Sequence, residues 1–252
     1  MKRINDIHIH VGQFFDQYFS PELIWKTLNK LDIEKACIMS TTIGDGRYTL
    51  VVKELQKLKQ LGGVRIYPFL WLMPQMEMDG GLDIMLNSRI IWQCIKIHPW
   101  QIKGAGQPKS HELTWALSVA KKLKLPIMIH TGYDDICTAG VWKDTVKNNP
   151  EQRFIFAHSR KIEDTIDILA TCPNAFCDTA FASPDWIKQI IDHGLIDRVA
   201  WGSDLPINLR YYKNLDSITW YEGIVSAMKK AIGEENFETI SGKNFDKILL
   251  GI

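Results

Sequence analysis

Residues 4–12 read INDIHIHVG, so an apolar run near the start of the chain ends in two histidines one residue apart. In an extended strand, residues two apart lie on the same face, which predicts that Asp6, His8 and His10 share one face and the intervening aliphatic residues the other. Imidazoles on one face can bind a metal ion, but two strand-capping histidines bonded to the backbone explain a lone HxH pattern equally well. The rest of the sequence has to be weighed with this pair.

Short apolar runs recur along the chain, and segments with helical periodicity lie between them. The eight runs are 4–10, 35–40, 64–71, 91–98, 126–130, 153–158, 175–178 and 198–202. Helices are predicted to begin after Ser20 and Ser183, each of which precedes a proline. Alternating strands and helices predict a parallel sheet, and eight units predict its closure into an α/β (β/α)8 TIM barrel formed by one domain, residues 1–252. The competing doubly wound sheet lacks its GxGxxG turn after the first strand.

Composition restricts the function classes. Lysine and arginine (30) nearly balance aspartate and glutamate (29), and no dense basic run indicates a nucleic acid or membrane partner, so a small-molecule substrate is expected. Five scattered cysteines without a CxxC pair are typical of a reducing compartment. Because we find neither an apolar leader nor a run of roughly 18 apolar residues, we expect a cytoplasmic protein.

Most of the histidines share one location, the ends of predicted strands, and TIM-barrel active sites lie at the carboxyl ends of the strands. Five of the seven histidines are there, namely His8, His10, His98, His130 and His158. Asp204 follows the last predicted strand in the stretch WGSDLP. Three imidazoles and a carboxylate suit Zn²⁺ or a similar ion and leave room for a water molecule.

On these motifs the sequence resembles the amidohydrolase superfamily, and most closely the amidohydrolase-related branch of metal-dependent TIM-barrel hydrolases and decarboxylases. The matching segments, in family order, are DIHIH, KIHP, PIMIH, FIFAHSR, FCDTA and WGSDLP. The resemblance implies that His8, His10 and His130 bind the metal and that Asp204 is a fourth ligand or a proton shuttle touching it. It also implies that His158 activates water or polarises the substrate.

Lys96 shares the inward face of the fourth predicted strand with His98. Its position resembles that of a carboxylated lysine that joins two metals in binuclear members of the superfamily. The alternative, which we favour, is an ion pair with Asp6 or Asp204, because a charged lysine inside a barrel needs a counter-ion. We therefore expect one Zn²⁺, Mn²⁺ or similar ion per chain.

The candidates for substrate binding also follow strand ends. His98 would face the substrate at the rim or bond to a loop carbonyl, and Arg160 would clamp a carboxylate or pair at the surface with Glu163 or Asp164. Aromatic residues in such positions can line a pocket or be ordinary packing, and they are Trp71, Trp100, Tyr133 and Phe181. Asp178 ends the seventh predicted strand and is expected to orient a ligand histidine.

The predicted reaction is hydrolysis of a C–N or C–O bond through a metal-activated water, with His158 and Asp204 as catalytic residues. Nonoxidative decarboxylation of an aromatic or dienoic acid is the alternative. PHP-type phosphoesterases also begin with HxH, but they use an Asp-x-His element late in the chain. In this chain the residue two positions after Asp204 is Pro206 instead of histidine, which counts against that class. A non-catalytic binding barrel is the remaining alternative. The aromatic-rich segments 13–19 and 208–215 are expected to be loops that form a lid or a contact in a homo-oligomer.

Overall fold

A computed structural model describes residues 4–99, 101, 111–134, 136–212 and 214–251. Within these residues nine strands form one sheet in the order β2-β1-β3-β4-β5-β6-β7-β8-β9, and every pair is parallel except β1 with β2. The strands are β1 (Ile4–Phe14), β2 (Gln17–Phe19), β3 (Ile33–Ser40), β4 (Ile66–Trp71), β5 (Cys94–Ile97), β6 (Ile127–His130), β7 (Phe154–Ala157), β8 (Ala175–Asp178) and β9 (Val199–Ala200).

Helices lie between the strands and after the last one, as the sequence predicts. Those in the described part of the chain are α1 (Pro21–Lys30), α2 (Tyr48–Gly62), α3 (Gly81–Leu86), α4 (His111–Leu123), α5 (Lys143–Lys147), α6 (Ile162–Thr171), α7 (Pro184–Asp192), α8 (Asn208–Tyr211), α9 (Ser217–Ile232), α10 (Glu234–Glu238) and α11 (Asn244–Leu250). The side chains of Ser20 and Ser183 accept hydrogen bonds from the first turns of α1 and α7, so both predicted caps are confirmed.

The sheet closes on itself between β1 and the segment after β9. The backbone N–H of Ile7 donates to the carbonyl of Trp201 at 2.9 Å, and the N–H of Asp204 donates to the carbonyl of His8 at 2.8 Å. A parallel bridge between Ile9 and Leu205 continues the pairing. The predicted TIM barrel is confirmed, and this seam brings the first and last predicted ligands next to each other.

Two apolar clusters hold the barrel together. Alternate strand residues such as Cys37, Phe69 and Met128 point inward, where Phe245 and Ile248 of α11 cover the end at which the strands begin. The other strand residues point outward and pack against the surrounding helices in a larger cluster. Apolar side chains thus fill one end of the barrel interior and leave the carboxyl ends of the strands to polar groups.

The first strand differs from its predicted pattern, because its register with β3 shifts between Asp6 and Ile9. Ile7 belongs to the inner apolar cluster whereas Ile9 belongs to the outer one, although the two are only two residues apart. The extra residue of a β-bulge explains this reversal, and Asp6 Oδ1 accepts the N–H of His8 at 3.0 Å across it. The prediction that Ile7 and Ile9 share a face is therefore wrong, and so is the prediction that Asp6 shares the inward face of His8 and His10.

The structure also replaces part of a predicted loop with regular structure. Strand β1 continues to Phe14, and Gln17–Phe19 pairs back against it as a β-hairpin. Segment 13–19 is therefore mostly hairpin rather than loop, whereas segment 208–215 contains the short helix α8. Among the described residues, no helix is long and apolar enough to cross a membrane.

Candidate active site

Three side chains converge at the seam of the barrel. Nε2 of His8 lies 3.2 Å and Nε2 of His10 lies 2.7 Å from the same oxygen, Oδ1 of Asp204. All three residues are buried, and their candidate ligand atoms lie within 4.8 Å of one another. Two imidazoles and one carboxylate thus meet at one point, although the first and last of them are almost two hundred residues apart in sequence.

The hydrogen bonds of His8 fix which of its nitrogens can bind an ion. Nδ1 of His8 lies 2.7 Å from Oδ2 of Asp178, so Nδ1 carries the proton and Nε2 presents its lone pair to Asp204. Burial lowers the pKa of His8 well below its ordinary value, which favours the neutral imidazole. Burial alone would raise the pKa of Asp204, but His8, His10 and Lys96 hold it below its usual value, so this carboxyl group is ionised.

This arrangement fits a divalent metal ion. The lone pair of His8 and the carboxylate of Asp204 would repel each other at 3.2 Å unless a cation lay between them. Ligand atoms roughly 2.0–2.1 Å from a tetrahedral zinc ion are about 3.3 Å from one another, close to this separation. Among the described residues, Oδ1 of Asp204 has no hydrogen-bond partner of suitable geometry even though His10 is near.

His130, the third predicted ligand, is not part of this cluster of three. Its Nδ1 lies 3.0 Å from Nε2 of His158, and Nδ1 of His158 lies 3.0 Å from the carbonyl oxygen of Ala180. The carbonyl can only accept, so Nδ1 of His158 is protonated and Nε2 of His158 accepts from His130. Nε2 of His130 then carries no proton and keeps the tautomer that a metal ligand needs. Burial lowers the pKa of both histidines.

Backbone strain accompanies two of these side chains. His158 has φ of 74° and Asp204 has φ of 65°, values in the left-handed region that non-glycine residues rarely adopt. Each such residue costs about 1–3 kcal/mol, and such residues are found together at functional sites. The surrounding barrel therefore holds both side chains in positions that the local backbone would not choose.

The cluster lines a cavity of about 400 Å³ at the barrel mouth. The residues predicted for the site that line it are His8, His10, Trp71, Lys96, His98, His130, His158, Arg160, Phe181 and Asp204. A second cavity of about 470 Å³, near α4 and β7, contains none of them. The ten residues come from seven barrel strands or the segments that follow them, which is the arrangement of a TIM-barrel active site.

Comparison with known proteins identifies the chain. A family model described as amidohydrolase matches residues 95–244. The chain belongs to the amidohydrolase family. This agrees with the family resemblance found in the sequence motifs, and with the HxH strand that lies outside the matched segment. No protein in the curated set matches the sequence.

Solved structures show the same fold at low sequence identity. A probable 2-pyrone-4,6-dicarboxylic acid hydrolase from Acinetobacter baumannii has a TM-score of 0.71 and 12% identity, with 99% of this chain and 100% of that chain covered. An amidohydrolase 2 from Bifidobacterium longum subsp. infantis has a TM-score of 0.69 and 14% identity, with 99% of each chain covered. A 4-oxalomesaconate hydratase from Rhodopseudomonas palustris has a TM-score of 0.66 and 12% identity, with 98% and 95% covered. As a member of the amidohydrolase family, the chain is an enzyme.

The residues predicted for substrate binding, His98, Arg160 and Trp71, all line the amidohydrolase cavity. The ring of Trp71 is parallel to that of His98 at 6.4 Å, and His98 stacks on His130 at 4.0 Å. Arg160 donates to the carbonyl of Thr131 at 3.4 Å. The predicted surface pairing of Arg160 is wrong within the described residues, because Asp164 pairs with Lys161 instead and Glu163 has no ion pair.

The surroundings of Lys96 differ from our expectation. Its side chain is 1% exposed, and Nζ has no hydrogen-bond partner among the described residues. The predicted ion pair with Asp6 or Asp204 is therefore absent from that part of the chain. The bulge in β1 turns Asp6 away from the barrel interior. Oδ1 of Asp6 accepts a hydrogen bond from the backbone N–H of Ser203 at 3.1 Å instead.

Several other residues that line the amidohydrolase cavity have no individually predicted role. They are Phe14, Phe15, Thr41, Gln101, Ile207 and Tyr211. Phe14, Phe15 and Tyr211 lie in the segments 13–19 and 208–215, whose number of aromatic residues was the only sequence signal for them. Trp100, which was expected near the pocket, lies outside the described residues.

Asp178 makes the contact that the sequence analysis expected of it. Besides the bond to His8, it accepts the backbone N–H groups of His158 at 2.7 Å and Ala180 at 3.0 Å. A Cβ at Gly202 would lie 2.9 Å from Cβ of His8 and 3.3 Å from Cβ of Asp178, so only glycine leaves room for this pair. Asp178 thus fixes the orientation of His8 and the strained backbone at His158.

We expect Asp178→Asn to weaken binding of a divalent ion by about 10–100-fold, because loss of such a partner leaves the ligand histidine less basic and less well oriented. The measurement is titration of metal-free protein with Zn²⁺. Asp83→Asn on the exposed side of α3 is the control. Unchanged affinity for Zn²⁺ in Asp178→Asn would mean that His8 is not a ligand.

Proposed function

We propose that this amidohydrolase hydrolyses a C–N or C–O bond of a small molecule at the barrel mouth, with a divalent ion held by His8, His10 and Asp204. His130 is the further ligand that the superfamily pattern implies. The observation that carries the proposal is the convergence of His8 and His10 on one oxygen of Asp204, with the proton of His8 directed away toward Asp178.

A bound zinc-type ion supplies Lewis acidity and lowers the pKa of a water molecule to about 7. The residues of the chain then position the reactants and move protons. Asp204 is ionised and lines the cavity, so it is the best-placed group to take a proton from water and deliver it to the leaving group. His158 is also a candidate, but its Nε2 already accepts a hydrogen bond from His130 and must release it first.

Two structural neighbours support hydrolysis over decarboxylation. By name one is a probable hydrolase and the other a hydratase, and both activities add water to a substrate. The decarboxylases of the amidohydrolase-related branch would use the same metal ligands, so the type of reaction has to be tested directly.

The test uses protein loaded with Zn²⁺ or Mn²⁺ and a panel of lactones, amides and unsaturated carboxylic acids. We expect about one bound ion per chain, release of an acid or amine product, and loss of turnover with a chelator. Measurement of carbon dioxide in the same reactions separates the alternatives. Release of carbon dioxide without a hydrolysis product would replace our proposal with decarboxylation, and metal-replete protein containing no ion would reject the metal site.

A further inference from the structure

We propose that Lys96 is the anion-binding residue of this cavity and that, together with Arg160, it binds the carboxylate of a small carboxylic acid substrate. The assignment of this acid as a substrate rests on the proposed function, whereas its binding does not. The starting observation is a fully buried amine that lines the cavity and has no hydrogen-bond partner among the described residues.

The fold directs Lys96 into the barrel. It lies two residues after Cys94, which belongs to the inner apolar cluster, so the alternation of β5 points both side chains inward. Its neighbours in register are Trp71 on β4 and Met128 on β6. The Lys96 side chain therefore extends from the apolar interior toward the polar end of the barrel, where it lines the cavity.

The carboxylates nearest to this interior already have other partners. Asp178 binds Nδ1 of His8 and two backbone N–H groups, and Asp204 faces the imidazoles of His8 and His10. Within the described ranges, neither makes an ion pair with Lys96 at 4.0 Å or less. A buried ammonium group without a paired anion is costly, so an anion that enters the cavity supplies the missing partner.

The charge of Lys96 is compatible with this role. Burial lowers the pKa of its amine to about 8, and Asp178 and Asp204 oppose that effect. A carboxylate bound beside the amine would favour its charged form and raise its pKa again.

Arg160 provides a second cation that lines the same cavity. Its guanidinium group is held by the carbonyl of Thr131 and lies 5.7 Å above the ring of Tyr133. Among the described residues it forms no ion pair, and its planar group can bind a carboxylate through two hydrogen bonds. The cavity thus presents two cations to a ligand.

The remaining wall indicates the body of the acid. Phe14, Trp71 and Phe181 line the cavity, and the aromatic faces of Trp71 and His98 are parallel. Such a wall favours a flat, apolar framework. The ligand class is therefore a small aromatic or unsaturated carboxylic acid.

The test compares benzoate with benzamide, which has nearly the same shape but no charge. Binding of each to metal-loaded protein is measured by calorimetric titration, or by ligand-observed NMR where the affinity is low. We expect Lys96→Met to weaken the affinity for benzoate at least tenfold and to change the affinity for benzamide less than twofold. Arg160→Gln should weaken benzoate in the same direction and serves as a second variant if Lys96→Met does not fold.

The control is Lys230→Met, which removes an exposed lysine on α9 and should leave benzoate binding unchanged. Lys96→Met should also unfold at the same or a higher temperature than wild type, since it replaces a buried unpaired charge with an apolar side chain of similar length. A lower unfolding temperature together with unchanged benzoate affinity would show that Lys96 has a structural role and overturn the proposal.

A carboxylated Lys96 would also overturn the proposal, because the group would then be an anion. Incubation with ¹³C-bicarbonate followed by ¹³C NMR detects such a carbamate, and we expect no Lys96-dependent signal. Since neither readout requires turnover, benzoate binding through Lys96 in a protein that hydrolyses nothing would reject the proposed function alone. If the protein hydrolyses a substrate but Lys96→Met binds benzoate as tightly as wild type, only this inference is rejected.

Discussion

Replacement of both His8 and His10 by alanine is expected to abolish binding of a divalent ion and to lower turnover by on the order of 10³-fold or more. Both imidazoles aim Nε2 at Oδ1 of Asp204, so their removal leaves only Asp204 and the proposed further ligand His130, fewer than the three protein ligands of a catalytic zinc site. The helical circular dichroism should stay largely intact, because the apolar clusters of the barrel do not depend on these rings.

The measurement is metal content by elemental analysis after loading with Zn²⁺, together with steady-state kinetics on the substrate found by the panel. A matched control replaces two exposed histidines by alanine, His111 at the start of α4 and His193 after α7. If the His8 and His10 variant lost its fold while the control did not, the pair would be structural, which is the alternative that the sequence left open.

Asp204→Asn is expected to reduce kcat by on the order of 10³-fold, the largest effect of any single substitution that we predict. The amide keeps the shape of the carboxyl group but removes the negative charge that both imidazoles face and the group that would carry the proton. The backbone N–H of residue 204 donates a hydrogen bond to the carbonyl of His8. This bond does not depend on the side chain, so the pairing at the seam should be kept.

Metal content and kcat should be measured together on this variant, with Asp83→Asn on α3 as the control for an exposed aspartate. Loss of both quantities assigns Asp204 as a ligand, whereas loss of kcat alone assigns it as a proton carrier. An Asp204→Asn enzyme with more than about a tenth of wild-type kcat would remove this residue from the mechanism.

The barrel was predictable because its signals are local and repeated. Eight apolar runs with helical segments between them specify a closed parallel sheet, and serine followed by proline marks the starts of α1 and α7. The residues that line the site were also accessible, since polar side chains at strand ends meet at one rim of any such barrel.

The details that differed depend on contacts between distant segments. The bulge in β1 arises from its pairing with β3, and nothing in the sequence DIHIH alone indicates that Ile7 and Ile9 face opposite sides. Likewise, the absence of a partner for Lys96 follows from where Asp178 and Asp204 direct their oxygens. Period-two alternation predicts faces only while the register is continuous.

The seam between the first and last strands has a consequence for how the folded state responds to an ion. His8 and His10 lie on the first strand of the barrel, and Asp204 lies on the segment that pairs with it. A cation bound by all three would therefore cross-link the two segments whose pairing closes the barrel. An ion that binds only the shut form strengthens it by about 2.7 kcal/mol at a concentration one hundred times its dissociation constant. Amide protons of residues along this line would then exchange more slowly in the metal-loaded protein. The ion that takes part in catalysis would therefore also set how often the barrel opens locally between its first and last strands.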